Sequence, residues 1–211
     1  MSARPGILAI WNDCVAGREA DFEEWYQHEH FHERIAVPGF RLGRRFEAVS
    51  GKPRYFCFYL TQSAEVLTSP AYLERLDNPT PMTRRIMADV FRDMSRTVCH
   101  RALRLGVMRG SAAVTLRFMG QADRDSLNGS IEELAKDKSV ACAEIWTAVD
   151  AGTVPVSEEE RLRGGDKKIE ACAYVETLRV AEAEQIAQSL SRQFPNAETG
   201  VYRLLCEIGT L

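Results

Sequence analysis

Three of the chain's four histidines, His28, His30 and His32, fall within five residues of the stretch WYQHEHFHERIAVPGF, which spans 25 to 40. Imidazole both ligates metals and moves protons near neutral pH, so chemistry is sought here first. His28-Glu29-x-x-His32 has the spacing at which two imidazoles one helical turn apart chelate zinc, with the intervening carboxylate as base. A catalytic zinc also needs a third protein ligand. The residue three past His32 is Ile35, the remaining histidine is His100, and nothing singles out Glu47 or Glu65. His28 and His32 are therefore weak metal candidates.

Proton transfer without a metal is the second reading. At 100° per residue, Phe22, Trp25, Tyr26, Glu29, Glu33 and Ala36 share one helix face. That face is apolar except for its two carboxylates, and desolvation there would raise the pKa of Glu29 into a useful range. His30 lies on the flank beside Tyr26 and Arg34. The expected catalytic set is His30 as acid/base, Glu29 orienting it or sharing the proton, and Tyr26 or Arg45 stabilising an oxyanion. Arg44 and Arg45 are consecutive on a strand, so one of them points inward and can bind a carboxylate or enolate, or a structural salt bridge to Glu29 or Glu33. Trp25, Tyr72, Arg44 and Asn12 are candidate substrate contacts. The plain alternative is a solvated helix face for the histidines, a packed core for Trp25 and Tyr26, and a turn role for Asn12.

These side chains need a scaffold, and the order of elements supplies one. Residues 6–14, 40–49, 54–61 and 100–108 read as strands, with helices at 21–36 and, split at Asn78-Pro79, over 70–96. Asp21 with Glu24 makes a capping box for the first helix, and Ser69-Pro70 and Thr80-Pro81 are cap-then-proline starts. The plan repeats with strands at 111–119, 141–149, 168–178 and 200–209 and helices at 123–138 and 180–194. The order β-α-β-β-α-β occurring twice is the ferredoxin-like signature, in an α+β chain. Residues 1–108 form the repeat that carries the candidate site; residues 109–211 form a second, mainly scaffolding repeat. Its matching helix has no His, Trp or Tyr. Strands such as Arg54–Leu60 are apolar on both faces, so the two sheets are expected to pack together as a barrel within one chain. This intramolecular pseudo-dimer leaves homodimerisation open. Asp150–Lys168 reads as a long exposed hairpin loop.

Composition excludes other classes. The 211 residues carry a formal charge of −3, which gives no general pull toward nucleic acid or anionic membrane. No run of about 18 apolar residues spans a membrane, and the start does not read as a signal peptide. Six cysteines without a C-x-x-C pair read as buried free thiols of a cytoplasmic protein. There is no phosphate loop, G-x-S-x-G elbow or dinucleotide fingerprint, which argues against nucleotide-dependent chemistry and for no cofactor, though a flavin bound by shape stays open.

The stretches DFEEWYQHEHFHERIAVPGFRLGRRFEAV, PRYFCFYL and VLTSPAYLERL together resemble the dimeric α/β-barrel superfamily, in particular its EthD-like and stress-responsive branches. The carrying motif is W-Y-x-x-E-H followed by P-G-F and a strand, and the resemblance covers residues 6 to about 105. It implies two ferredoxin-like sheets forming a barrel, with a cavity under the helices or inside the barrel. The superfamily includes lactone isomerases, polyketide cyclases, cofactor-free monooxygenases and haem enzymes. The family position of interest is His30, with Glu29 beside it; Phe31-His32 stands where members carry a proline. The expected function is isomerase-, cyclase- or dehydratase-like acid/base chemistry, or cofactor-free oxygenation, on a small carbonyl or cyclic compound. A non-catalytic ligand-binding or stress-associated barrel, with an apolar cavity, is the alternative, and a zinc hydrolase stands third.

Overall fold

The computed structural model describes residues 4–209. The first repeat runs β1 (Gly6–Cys14), α1 (Glu19–Trp25), a π-helical turn (Tyr26–His30), α2 (Phe31–Ile35), β2 (Phe40–Ser50), β3 (Tyr55–Thr61), α3 (Pro70–Asp77), α4 (Pro81–Asp89) and β4 (Phe91–Leu105). The second runs β5 (Ala112–Phe118), α5 (Arg124–Leu134), β6 (Val140–Ala148), α6 (Glu158–Leu162), β7 (Ala171–Thr177), α7 (Val180–Gln193) and β8 (Glu198–Gly209). Ser69 and Thr80 cap α3 and α4 as expected, each accepting a backbone N–H from three residues on. Asp21 does not cap α1, which begins at Glu19; its carboxylate binds Arg18 Nε at 2.6 Å instead.

The eight strands close into one antiparallel barrel in the order β1-β3-β2-β8-β5-β7-β6-β4. The two four-stranded sheets face each other as expected. They also join edge to edge, through β2 with β8 and β4 with β6, so neither repeat keeps a free edge. Strand alternation then sorts the side chains into three cores. Trp11, Phe46, Phe56, Phe58, Trp146 and Tyr174 fill the barrel interior. Leu8, Ile10, Tyr55, Cys57 and Tyr59 point outward, beneath the helices of the first repeat. Val114, Leu116, Ala173 and Val175 do the same in the second. Gly43 on β2 permits the close approach of α2: a Cβ there would lie 2.9 Å from the Phe31 and Tyr59 rings.

Two expectations about elements are corrected. The helix expected to run on to 96 ends at Asp89. From Phe91 the chain is strand, because pairing with β1 and β6 along a 15-residue β4 outweighs local periodicity. Asp150–Lys168 is not an exposed hairpin. It contains α6, buries Ser157, Glu159 and Glu160, and crosses to the helical face of the first repeat. Its backbone pairs with β4 there, Arg96 N–H donating to Lys167 O and Lys167 N–H to Met94 O, both at 3.0 Å. All six cysteines are free, four of them fully buried.

Candidate active site

The π-helical turn decides which side chains of the histidine helix face the protein. The Phe31 N–H bonds to Tyr26 O, five residues back, so Tyr26–His30 holds one residue more than an α-turn would. Before the turn, the regular period buries Phe22, Trp25 and Tyr26. After it, the inward face is one residue ahead: His30, Phe31 and Arg34 are buried, and Glu29, Glu33 and Ala36 are not. The face drawn at a constant 100° per residue was therefore wrong beyond Tyr26. His28 and His32 point to solvent, with His32 Nε2 against Gln27 O at 2.9 Å. Among the described residues no group of three or more His, Cys, Asp or Glu is arranged to hold a metal ion.

His30 is 5 % exposed and lies between aromatic rings. Its imidazole stacks on the Trp25 indole, centroids 4.0 Å apart, and meets the Tyr26 ring edge-on at 5.3 Å. Beyond it is a small cavity of about 20 Å³ between the outer face of the first sheet and the helices. Apolar side chains including Leu8, Ile10 and Phe91 line it, and so do three arginines, Arg34, Arg96 and Arg163. Arg34 is ion-paired with Glu159 of α6. Arg96 Nη2 donates to Tyr72 Oη at 2.9 Å. Arg163 holds Asp166 in a fork, both N–O distances 2.7 Å, across the left-handed turn of Gly164 and Gly165. Two buried polar atoms in the wall lack any hydrogen-bond partner: His30 Nδ1 and Arg34 Nη1.

Electrostatics fixes the protonation states. Burial first, then the charges of Arg34, Arg163, Arg45 and Arg96, hold the His30 pKa well below its ordinary value. The ring is thus neutral at pH 7 and has a free nitrogen. Burial pushes the Tyr26 phenol well up, so it remains a neutral donor.

The remaining candidates go elsewhere. Glu29 does not reach His30. Its Oε1 accepts from Thr80 Oγ1 at 2.6 Å and Thr83 Oγ1 at 2.7 Å, and Thr83 Oγ1 in turn accepts from Trp25 Nε1 at 2.9 Å. This carboxylate ties the π-turn to the start of α4. Arg45 points under α1, forks onto Glu23 and stacks over the Tyr26 ring at 4.2 Å. It supports the site from behind. Arg44 points the opposite way, into the barrel, where it pairs with Glu176 at 2.6 Å and donates to Gly110 O at 2.7 Å. Neither arginine pairs with Glu29 or Glu33 as expected. Asn12 is buried, with Nδ2 on Asp13 O at 3.2 Å, outside the cavity wall. Of the eight residues first in view, His30, Tyr26 and Tyr72 line the cavity and Trp25 backs it. Sequence reading missed Arg34 as a site residue, and with it Arg96, Glu159, Arg163 and Asp166. One signal was present: Ser157-x-x-Glu160 is a capping-box pattern, and the Ser157 hydroxyl does accept the Glu160 N–H at 3.3 Å.

This architecture, two ferredoxin-like repeats closed into one eight-stranded barrel with helices outside, is the fused dimeric α/β barrel. No family model and no curated protein matches the sequence. The fold has solved counterparts. A provisionally named monooxygenase of Fusobacterium nucleatum subsp. nucleatum matches 100% of this chain and 96% of its own, at TM-score 0.61 and 7% identity. An anthrone oxidase-like protein matches 98% and 93%, at TM-score 0.60 and 9% identity. A sirohaem decarboxylase matches 98% and 73%, at TM-score 0.50 and 10% identity. The superfamily-level resemblance read from the sequence is thus borne out as fold. His28 and His32 face solvent, so neither is placed to ligate a haem within the fold. No helix among the described residues is long and apolar enough to cross a membrane.

Proposed function

We propose that the chain is a small-molecule enzyme of the dimeric α/β-barrel type in which neutral His30 is the general base. The observation that carries this reading is a buried, unpartnered imidazole nitrogen sharing a cavity wall with three guanidiniums. A base surrounded by fixed positive charge suits one chemistry: removing a proton from a carbon beside a carbonyl, where negative charge develops on oxygen. Arg34, Arg96 and the Tyr26 hydroxyl are the groups that would neutralise that oxygen. Return of the proton from His30 to another position gives isomerisation, and its delivery to a hydroxyl leaving group gives dehydration. The names of the structural counterparts suggest an oxygenase variant, in which the deprotonated substrate meets dioxygen. Glu29 takes no part. A non-catalytic barrel would offer an apolar cavity, whereas this wall carries four charged groups.

The test is solvent exchange. Cyclic ketones and keto acids incubated in D2O with the protein should gain deuterium at the acidic carbon, followed by NMR. A correctly placed histidine contributes about 10²–10⁴ in rate, so His30→Ala should lose that factor. Equal exchange with wild type and His30→Ala would sink the reading.

A further inference from the structure

The cavity is too small for an organic substrate, because about 20 Å³ is near the minimum for a single water. What closes it is α6 with its flanking chain, supplied by the second repeat. One edge of this cap is held by exposed bonds, and the chain after it pairs with β4. The Glu158 N–H donates to Asp77 Oδ1 at 3.0 Å, and Arg84 reaches the Glu158 carboxylate at 3.3 Å. At its centre the Glu159 carboxylate sits on Arg34, side chains 4% and 2% exposed, and the buried Arg163 reaches Met87 Sδ at 3.5 Å. Arg163 also faces Glu159, at 3.8 Å.

The charges in the wall are not equivalent. Asp166 belongs to Arg163, four atoms in a planar fork within the cap itself. Arg96 has a neutral partner, Tyr72. Among the described residues Arg34 is ion-paired with Glu159, and its second terminal nitrogen has no hydrogen-bond partner although it is buried. If the cap lifts, Arg34 loses the carboxylate it is paired with, and a buried guanidinium with both terminal nitrogens free is a carboxylate site. Beside it stand the rings and thioethers of Tyr26, Tyr72, Phe91, Met87 and Met94, a surface for a flat apolar body.

We infer that Glu159 occupies the place of the substrate's own carboxylate on Arg34, so that α6 is an internal competitor and the substrate is a small cyclic or aromatic monocarboxylate. Binding replaces one carboxylate on Arg34 by another, and the displaced Glu159 travels out with the cap. The site's occupant thus matches Glu159 in charge and exceeds it in apolar surface. The inference rests on the reading of the His30 cavity as the active site, but it makes a separate claim.

The probe is benzoate, with neutral benzamide as control, on the full chain. Glu159→Gln removes the competing charge and keeps the shape, so benzoate should bind it at least tenfold tighter than wild type by titration calorimetry. Benzamide should show no such gain, and Arg34→Met added to Glu159→Gln should remove it. A folded Glu159→Gln protein that binds benzoate no more tightly than wild type overturns the inference. Should that variant fold poorly, Asp77→Ala, which loosens the cap at an exposed position, decides: benzoate affinity rises at least threefold, or the inference fails. The outcomes separate from those of the exchange assay. Loss of exchange in His30→Ala with no benzoate gain in Glu159→Gln keeps the acid/base reading and discards the competitor; the reverse pattern keeps the carboxylate site and discards the base.

Discussion

The His30 imidazole lies flat on the Trp25 indole, centroids 4.0 Å and planes 30° apart, five residues away along a helix that would separate them if it were regular. The π-turn between them brings the ring under the protein, and Trp25 is itself fixed by its N–H to Thr83. A ring held on one face by an indole and desolvated by its surroundings has a single direction left in which to act, toward the cavity and its arginines.

Stability should report the buried neutral state of His30. Its folded-state pKa lies well below 6.5, with burial and the charges of Arg34, Arg163, Arg45 and Arg96 acting on it and Glu159 the carboxylate in the same cavity wall. Above pH 6.5 both folded and unfolded chains hold it neutral. Below that value the unfolded chain takes up the proton first, so stability falls as pH falls, by about 1.4 kcal/mol per unit until the folded pKa is reached. His30→Phe keeps a ring on Trp25 and should lose this component of the slope. Urea unfolding of both proteins at pH 7.5, 6.0 and 5.0 measures the difference, and parallel curves would contradict it.

Glu29 and His30 should separate cleanly under mutation. Glu29→Ala removes two hydroxyl donors' acceptor at the start of α4 and is expected to cost about 2 kcal/mol, as for hydrogen bonds to a charged group. Proton exchange per folded molecule should stay within about threefold of wild type, against the 10²–10⁴ assigned to His30. Denaturation midpoints and exchange rates on the same samples check both halves.

The barrel interior carries its own test in Arg44. Its partner Glu176 is also held by the Tyr174 hydroxyl at 2.6 Å, and both charges are 2% exposed or less. Arg44→Met leaves that carboxylate buried without its cation, which costs about 3–5 kcal/mol. Adding Glu176→Gln should recover part of the loss, read from the shift in urea midpoint.

The outward histidines predict a small effect. His28→Ala with His32→Ala should change stability by no more than about 0.5 kcal/mol, as surface substitutions do. Wild-type protein should purify with less than about a tenth of a zinc per chain, since a complete site normally retains its ion. Elemental analysis near one zinc per chain would restore the metal reading.

The legible part of this protein was its element order. Alternating apolar strands such as Tyr55–Thr61 and proline-capped starts such as Thr80-Pro81 encode local choices, and these appear where they were read. The strand from Phe91 was not legible, because Phe91 and Met94 continue the helical spacing, and only pairing of Phe91 and the residues from Ser95 on with β1 makes this stretch a strand. The histidine cluster pointed to the helix that borders the candidate cavity, and Trp25, Tyr26, His30 and Tyr72 are at or against that cavity. The arginines and Glu159 were invisible, since 125 positions separate Arg34 from the carboxylate it holds.

By itself, then, the sequence determined two ferredoxin-like repeats and a histidine-rich helix, because periodicity, caps and turns act over a few residues. Tertiary structure decided which histidine was buried, through one extra residue in a helical turn, and what it faced, by laying a cap from one repeat over the other. Both depend on contacts between distant segments, and no local pattern records them.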